Sequence, residues 1–185
     1  MTRRGGIGGG FWRDRRASVA LEFALIAPMM ILLLFGTIEA GLMLMTDATM
    51  ELAVRSGTRY GVTGAGGDTR DTAIKKKITD LVERWKGEKG TLKVEFKTYP
   101  SFDNIGKPEP FTDSNNNGAY DAGEGYEDIN GNKQWDSDMA VADGGGAGDI
   151  VIYTVTLTRP GFTGVLGLAG IDTLTFRRQA VVENE

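Results

Sequence analysis

The chain has 185 residues, a formal net charge of −4, no cysteine and no histidine. That length holds one domain, or one domain with an appended element. The missing residue types exclude disulfides, Cys-borne lipids and thiolate chemistry, the usual general base and every Ser-His or Cys-His nucleophile pair, which argues against a conventional hydrolase.

Charge is spread unevenly. Residues 1–16 hold Arg3, Arg4, Arg13, Arg15 and Arg16 against Asp14 alone, while residues 103–143 hold ten acids against Lys107 and Lys133. Neither segment is the clustered Lys/Arg stripe that phosphate binding needs, so no nucleic acid is expected as a partner. Directly after the basic head, residues 19–38 form a run of twenty with one charge, Glu22. About twenty such residues cross a ~30 Å hydrocarbon core as a helix. The arginines before the run place residues 1–16 in the cytoplasm and the rest outside, as a single-pass membrane protein. Pro28 removes one backbone hydrogen bond, which membrane helices tolerate. The competing reading is a cleaved secretory signal. Against it, the run is long for such a signal, and Ile38 stands where a small residue should precede a cut at Ala40. Glu39 falls near the outer boundary, where a carboxylate costs little, and is read as interfacial, with a subunit contact as the alternative.

Beyond the membrane, residues 43–60 contain good helix formers and no proline, with stop positions at Gly57, Gly61 and Gly64. "GVTGAGGDTR" then reads as a loop. A second helix is predicted over about 71–86, with Ile74, Ile78, Leu81, Val82 and Trp85 on one face and Lys75, Lys76, Lys77, Asp80 and Glu83 on the other. "TLKVEFKTY" alternates Leu92, Val94 and Phe96 with charged residues, as a half-buried strand does. "DIVIYTVTLT" alternates Val151, Tyr153, Val155 and Leu157 with Ile152, Thr154 and Thr156. A third strand follows in "TLTFRRQAVVENE", with Leu174, Phe176, Ala180 and Val182 on one face. The apolar, Gly-rich "RPGFTGVLGLAGI" between the last two is expected to be a turn or short helix packed on the sheet. The fold class is therefore α+β: a long amino-terminal helix, a short second helix and a small antiparallel sheet. The divisions are 1–17, a basic leader; 18–61, the transmembrane and extended helix; and 62–185, the outer domain with its acidic insertion at 103–143.

Within that insertion "DSNNNGAYDAGE", residues 113–124, fits the EF-hand loop template. Asp113, Asn115 and Asn117 fall at positions one, three and five, and Gly118 provides the sharp turn at six. The Ala119 carbonyl serves at seven, Asp121 at nine, and Glu124 at twelve. Alternate positions aim oxygens at one centre, which suits a hard cation wanting six to eight of them, so Ca2+ is expected as a structural cofactor. A poorer copy, "DINGNKQWDSDM", keeps Asp128, Asn130, Asn132 and Asp136 in place. Lys133 replaces the glycine at six and Met139 the acid at twelve, so Asp138 would have to substitute, unless these acids complete the first site. Pro108, Pro110 and Gly125 deny both loops the flanking helices of a true EF-hand. The plainer alternative is an exposed turn cluster without an ion, since Asp, Asn and Gly also dominate plain turns.

The stretch "RRASVALEFALIAPMMILLLFGTIEAGLML" resembles the TadE family of pilin-like proteins from tight-adherence (Tad, Flp-type) pilus systems. The resemblance is carried by Arg15, Arg16, Ala17, Glu22, Phe23, Ala24, Leu25, Pro28, Gly36 and Glu39, and by the continuation "MELAVRSGTRYG". It implies a pilin-like subunit in the bacterial inner membrane, with its outer domain in the periplasm or carried into an extracellular filament. It further implies cleavage between Ala17 and Ser18 by a prepilin peptidase, with Ala17 where the processing motif usually has glycine. Glu22 would then be the fifth residue of the mature chain, and its carboxylate would pair with the new ammonium of a neighbouring subunit during assembly. The implied partners are the peptidase, other Tad pilins and pseudopilins, and the membrane platform of the assembly machine. Two rivals remain at this point: a membrane-anchored or secreted calcium-dependent adhesion module that is never processed, and an exported enzyme, for which no convergent set of catalytic groups is visible.

Overall fold

The structure, a computed structural model, describes residues 15–63 and 68–185, with side chains over 18–59 and 70–185. Most of the basic leader and residues 64–67 of the predicted loop lie outside the described residues, as does the side chain of Ala17. Helix α1 runs Arg15–Thr63 and α2 Asp68–Lys86, followed by strands β1 Thr91–Tyr99, β2 Ile150–Arg159 and β3 Leu174–Glu183. Single 3-10 turns occupy Phe102–Asn104 and Val165–Ala169. The strands form one antiparallel sheet in the order β1-β2-β3, with Val94 opposite Val155 and Leu157 opposite Phe176. The α+β class read from periodicity is the fold observed.

Two compact units divide the chain, one from residues up to Met43 with Gly161–Asp172, the other from Leu44–Pro160 with Thr173–Glu185. In the second unit the later turns of α1 contribute Met50, Ala53 and Val54 to a core with Ile74, Ile78 and Val82 of α2. The sheet adds Phe96, Val151, Tyr153, Val155 and Leu157, the faces expected from alternation. Each such side chain, fully buried, contributes about 1.5–3 kcal/mol of transfer free energy. Ile150 and Thr154 are buried as well, so the middle strand is covered on both faces over part of its length. On the polar side Arg178 of β3 reaches Asp47 and Glu51 of α1. Lys75 of α2 lies 4.8 Å over the Phe96 ring.

In the first unit the apolar part of α1 stands uncovered, with Leu25, Met29 and Leu33 all more than two-thirds exposed. None of its most apolar stretch is buried inside the protein, although it is long and apolar enough to cross a membrane. The core helix of a soluble domain would be buried; this one keeps its apolar surface outward, as an anchor does. The segment between β2 and β3, expected on the sheet, instead lies against α1 in this unit. Its physical reason is a carboxylate, described next.

Candidate functional site

Three carboxylate arrangements stand out. The first is Glu22, exposed on α1 among exposed apolar side chains. Four residues earlier Ser18 Oγ donates to Glu22 Oε1 at 3.3 Å, the one described polar contact of this acid. A helix places positions i and i+4 side by side, so the two predicted processing and assembly residues share one face.

The second is Glu39, only 2 % exposed, in the sequence expected at a boundary facing water. Its Oε1 accepts the Phe162 N–H at 2.8 Å, and its Oε2 accepts both the N–H and the hydroxyl of Thr163 at 2.7 Å. Gly161 permits this approach: a Cβ there would stand 3.1 Å from Glu39 Oε1. Hydrogen bonds to an ionised group are worth about 1.5–3 kcal/mol each, so the carboxylate fixes the start of the β2–β3 connection to the helix. The apolar pattern of the connection revealed burial but not its partner.

The third is the acidic insertion, where both predicted loops fold alike. In the first, Asp113 accepts the N–H of Asn117 and Gly118, Asn115 Oδ1 that of Asn117, and Asn117 Oδ1 that of Ala119. In the second, Asp128 accepts from Asn132 and Lys133, Asn130 Oδ1 from Asn132, and Asn132 Oδ1 from Gln134. The amides of Asn115 and Asn117 both reach Asp121 Oδ2 at 2.7 Å, and those of Asn130 and Asn132 both reach Asp136 Oδ2 at 2.6 Å. Positions four and six are left-handed in each loop: Asn116 and Gly118 (φ 58° and 78°), Gly131 and Lys133 (φ 75° and 65°). Lys133 therefore adopts the turn that a glycine would adopt more cheaply.

The twelfth position shows how the second loop is completed. Glu124 binds the N–H of Ser114 with Oε1 at 2.8 Å and that of Asp121 with Oε2 at 3.0 Å. At the matching places of the second loop, Ile129 N–H donates to Glu109 Oε1 at 2.8 Å and Asp136 N–H to Glu109 Oε2 at 3.1 Å. Glu109 is 0 % exposed and lies upstream of both loops. Residue 139 is a buried methionine, and Glu109 accepts the N–H groups that match those held by Glu124, while Asp138 faces other partners. Asp138 accepts from Lys97 Nζ at 2.5 Å and from Tyr99 Oη at 3.0 Å. Burial pushes the Asp138 carboxyl up, but those two hydrogen bonds and the lysine charge outweigh it and hold it below the usual carboxylate range. Its partner Lys97 is raised, chiefly by the hydrogen bond to Asp138.

The loops are joined by aromatic rings at their eighth positions, Tyr120 and Trp135, stacked with centroids 4.6 Å apart. Phe111 packs edge-on against both at 5.9 Å. Backbone bonds from Thr112 to Gly125 and from Glu127 to Pro110 close the first loop, while Trp135 Nε1 donates to the Glu109 carbonyl. Among the described residues no group of three or more acidic side chains is arranged as a ready metal site. What the arrangement offers is hard oxygen donors, three carboxylates to each loop, with asparagine amides now directed at the ninth-position acid.

Against known proteins, residues 17–59 match the family described as TadE-like protein. The match begins at the predicted cleavage junction and ends within α1. No curated protein matches the chain, and no solved structure does.

Proposed function

Starting from a TadE-like amino-terminal segment, we propose that the chain is a minor pilin or pseudopilin that takes part in assembling a Tad-type pilus for surface adhesion. The observation that carries this reading is the family match over residues 17–59, with Glu22 displayed on an uncovered apolar helix. In this reading a prepilin peptidase cuts between Ala17 and Ser18, and Ser18 gains an ammonium one helical turn from Glu22. An acid and an amine that are both poorly solvated gain most by pairing, and pairing between subunits fixes their axial stagger. The protein is then a single-pass inner-membrane precursor with residues 1–17 in the cytoplasm and the second unit in the periplasm. Its partners are the peptidase, the assembly platform and other Tad pilins, and its role is structural, not catalytic.

The acidic lobe belongs to the same reading as a calcium-ordered ornament of the subunit. One ion would use Asp113, Asn115, Asn117, the Ala119 carbonyl, Asp121 and Glu124; a second would use Asp128, Asn130, Asn132, Asp136 and Glu109. Ten acids against two lysines repel one another in residues 103–143, and a divalent cation removes that repulsion. With three carboxylates per loop, affinity is expected in the ~10⁻⁴ to 10⁻³ M range of extracellular modules. An anchored calcium-dependent adhesion module is the second reading, favoured by the paired loops alone.

Glu22→Gln separates the two. Expressed in a strain lacking the native chain, the variant should accumulate in the membrane as the parent does, yet leave cells without pili. Normal piliation with Glu22→Gln would sink the pilin reading and leave the anchored module.

A further inference from the structure

The β2–β3 connection is built like a membrane-contact element. From Gly161 to Ile171 eleven residues run without a charge, bracketed by Arg159 and Asp172. Two of their large apolar side chains face outward, Leu168 at 78 % and Ile171 at 45 % exposed, while Phe162, Val165 and Leu166 are half-buried. A water-facing turn of this length would ordinarily carry polar side chains. Its main chain is closed on itself: Gly167 N–H donates to the Gly164 carbonyl, Gly170 to Gly167 and Ile171 to Leu166. The N–H groups of Phe162 and Thr163 are taken by Glu39. Internal satisfaction of backbone groups is the condition for non-helical chain at membrane depth.

Position along α1 identifies what covers this surface. Leu168, Val165 and Thr163 line a shallow cleft of ≈ 210 Å³ with Ile31, Leu32 and Phe35 of the helix. Those helix residues belong to the uncharged run that ends at Ile38. At ~1.5 Å per residue they lie about 5–10 Å inside the outer end of the span, the depth at which interfacial elements settle. The exposed apolar surface of the connection is therefore continuous with that of the membrane helix.

We infer that residues 161–171 form a second membrane-contact element, which dips beside α1 into the leaflet on the side of the carboxyl-terminal domain, its acyl chains covering Leu168 and Ile171. This rests on the anchored reading of α1. Glu39 makes the insertion tolerable: its carboxyl oxygens accept from three donors of the connection itself, so these polar groups are paired within an apolar setting.

The absence of cysteine allows a direct test in the full chain. Leu168→Cys, Leu33→Cys and Asn116→Cys each replace an exposed side chain and would carry a polarity-sensitive fluorophore in phosphatidylcholine/phosphatidylglycerol vesicles. Nitroxide lipids and aqueous iodide serve as quenchers. The expected result is a blue-shifted Leu168 label, quenched by a nitroxide shallow in the acyl chains and spared by iodide. The Leu33 label should respond most to a deep nitroxide, and the Asn116 label to iodide alone. An iodide-quenched Leu168 label beside a lipid-quenched Leu33 label would overturn this inference and leave the anchor standing. A Leu33 label in water would overturn both. A blue-shifted Leu168 label that no lipid quencher reaches would assign the surface to a protein neighbour and also overturn the inference.

Discussion

The connection after β2 and the acidic lobe after β1 are both irregular backbone, and each is organised by carboxylates that collect main-chain N–H groups, Glu39 and Glu109 fully buried and Glu124 half-buried. Glu39 does this across 123 residues of sequence, accepting from three donors of the connection. Glu109 and Glu124 do it in a crowd, where each organising acid is accompanied by two aspartates of its loop. The same device therefore uses one acid in one place and gathers several carboxylates in the other. The difference teaches that satisfied hydrogen bonds do not by themselves disperse charge, and crowding of carboxylates is what distinguishes the lobe, where a cation is proposed.

The comparison can be broken first at Glu39. Glu39→Ala removes the acceptor of three short hydrogen bonds, and the connection should lose about 3 kcal/mol or more of local stability. Amide exchange at Phe162 and Thr163 should accelerate about a hundredfold while the β2 amides keep their protection. Unchanged protection would mean that the apolar contacts alone hold the connection. Next in size is the lobe. Glu124→Gln and Glu109→Gln should each weaken calcium binding about tenfold or more, read by titration calorimetry, since each removes a charged ligand from one loop. An effect of Glu124 alone would break the equivalence of the two loops. Chelation of calcium should loosen the lobe and change the emission of Trp135, stacked on Tyr120 at the junction, with the sheet left folded.

Two smaller effects sharpen the picture. Lys133→Gly relieves a left-handed backbone at a position where the first loop already has glycine, and should raise stability by about 0.5–1 kcal/mol in calcium-saturated protein. The Lys97–Asp138 pair is partly exposed and worth about 0.5 kcal/mol. Asp138 is lowered from 3.8, so its contribution is present above that value and is lost as pH falls through the folded value. Lys97 is raised from 10.5, so its share is present below that value and is lost as pH rises through the folded one. Asp138→Asn should flatten this small dependence in pH-resolved thermal melts, and in the proposed calcium arrangement, where Asp138 faces Lys97 and Tyr99, it should leave calcium affinity unchanged.

Much of this fold was legible because period-two and period-3.6 patterns report which faces are buried. β1 coincides with "TLKVEFKTY" for that reason, and Ile74, Ile78 and Val82 mark the inner face of α2. The start of α2 was read three residues late, since Asp68 and Thr69 favour a helix amino terminus without adding to any apolar stripe. Spacing also marked the two loops as like turns, because Asp and Asn recur at consecutive odd positions in both. Glu109 was invisible to the same logic: no local spacing links it to Asp128, and only the fold of the insertion brings them together. Lys133 takes the left-handed turn that spacing reserved for glycine, held there by the hydrogen bonds that Asp128 and Asn132 accept around it. The placement of the connection on α1 was illegible because apolar composition predicts burial without naming the partner surface.

The central proposal is that this chain takes part in pilus assembly through a processed amino terminus. Its most direct test is the intact mass of the chain expressed with and without an active Tad-type prepilin peptidase. Loss of residues 1–17, leaving Ser18 as the first residue in the presence of the peptidase, is the expected result. A chain that keeps its full mass beside a peptidase active on another substrate would contradict the account and return Glu22 to the role of an interfacial acid on a plain anchor.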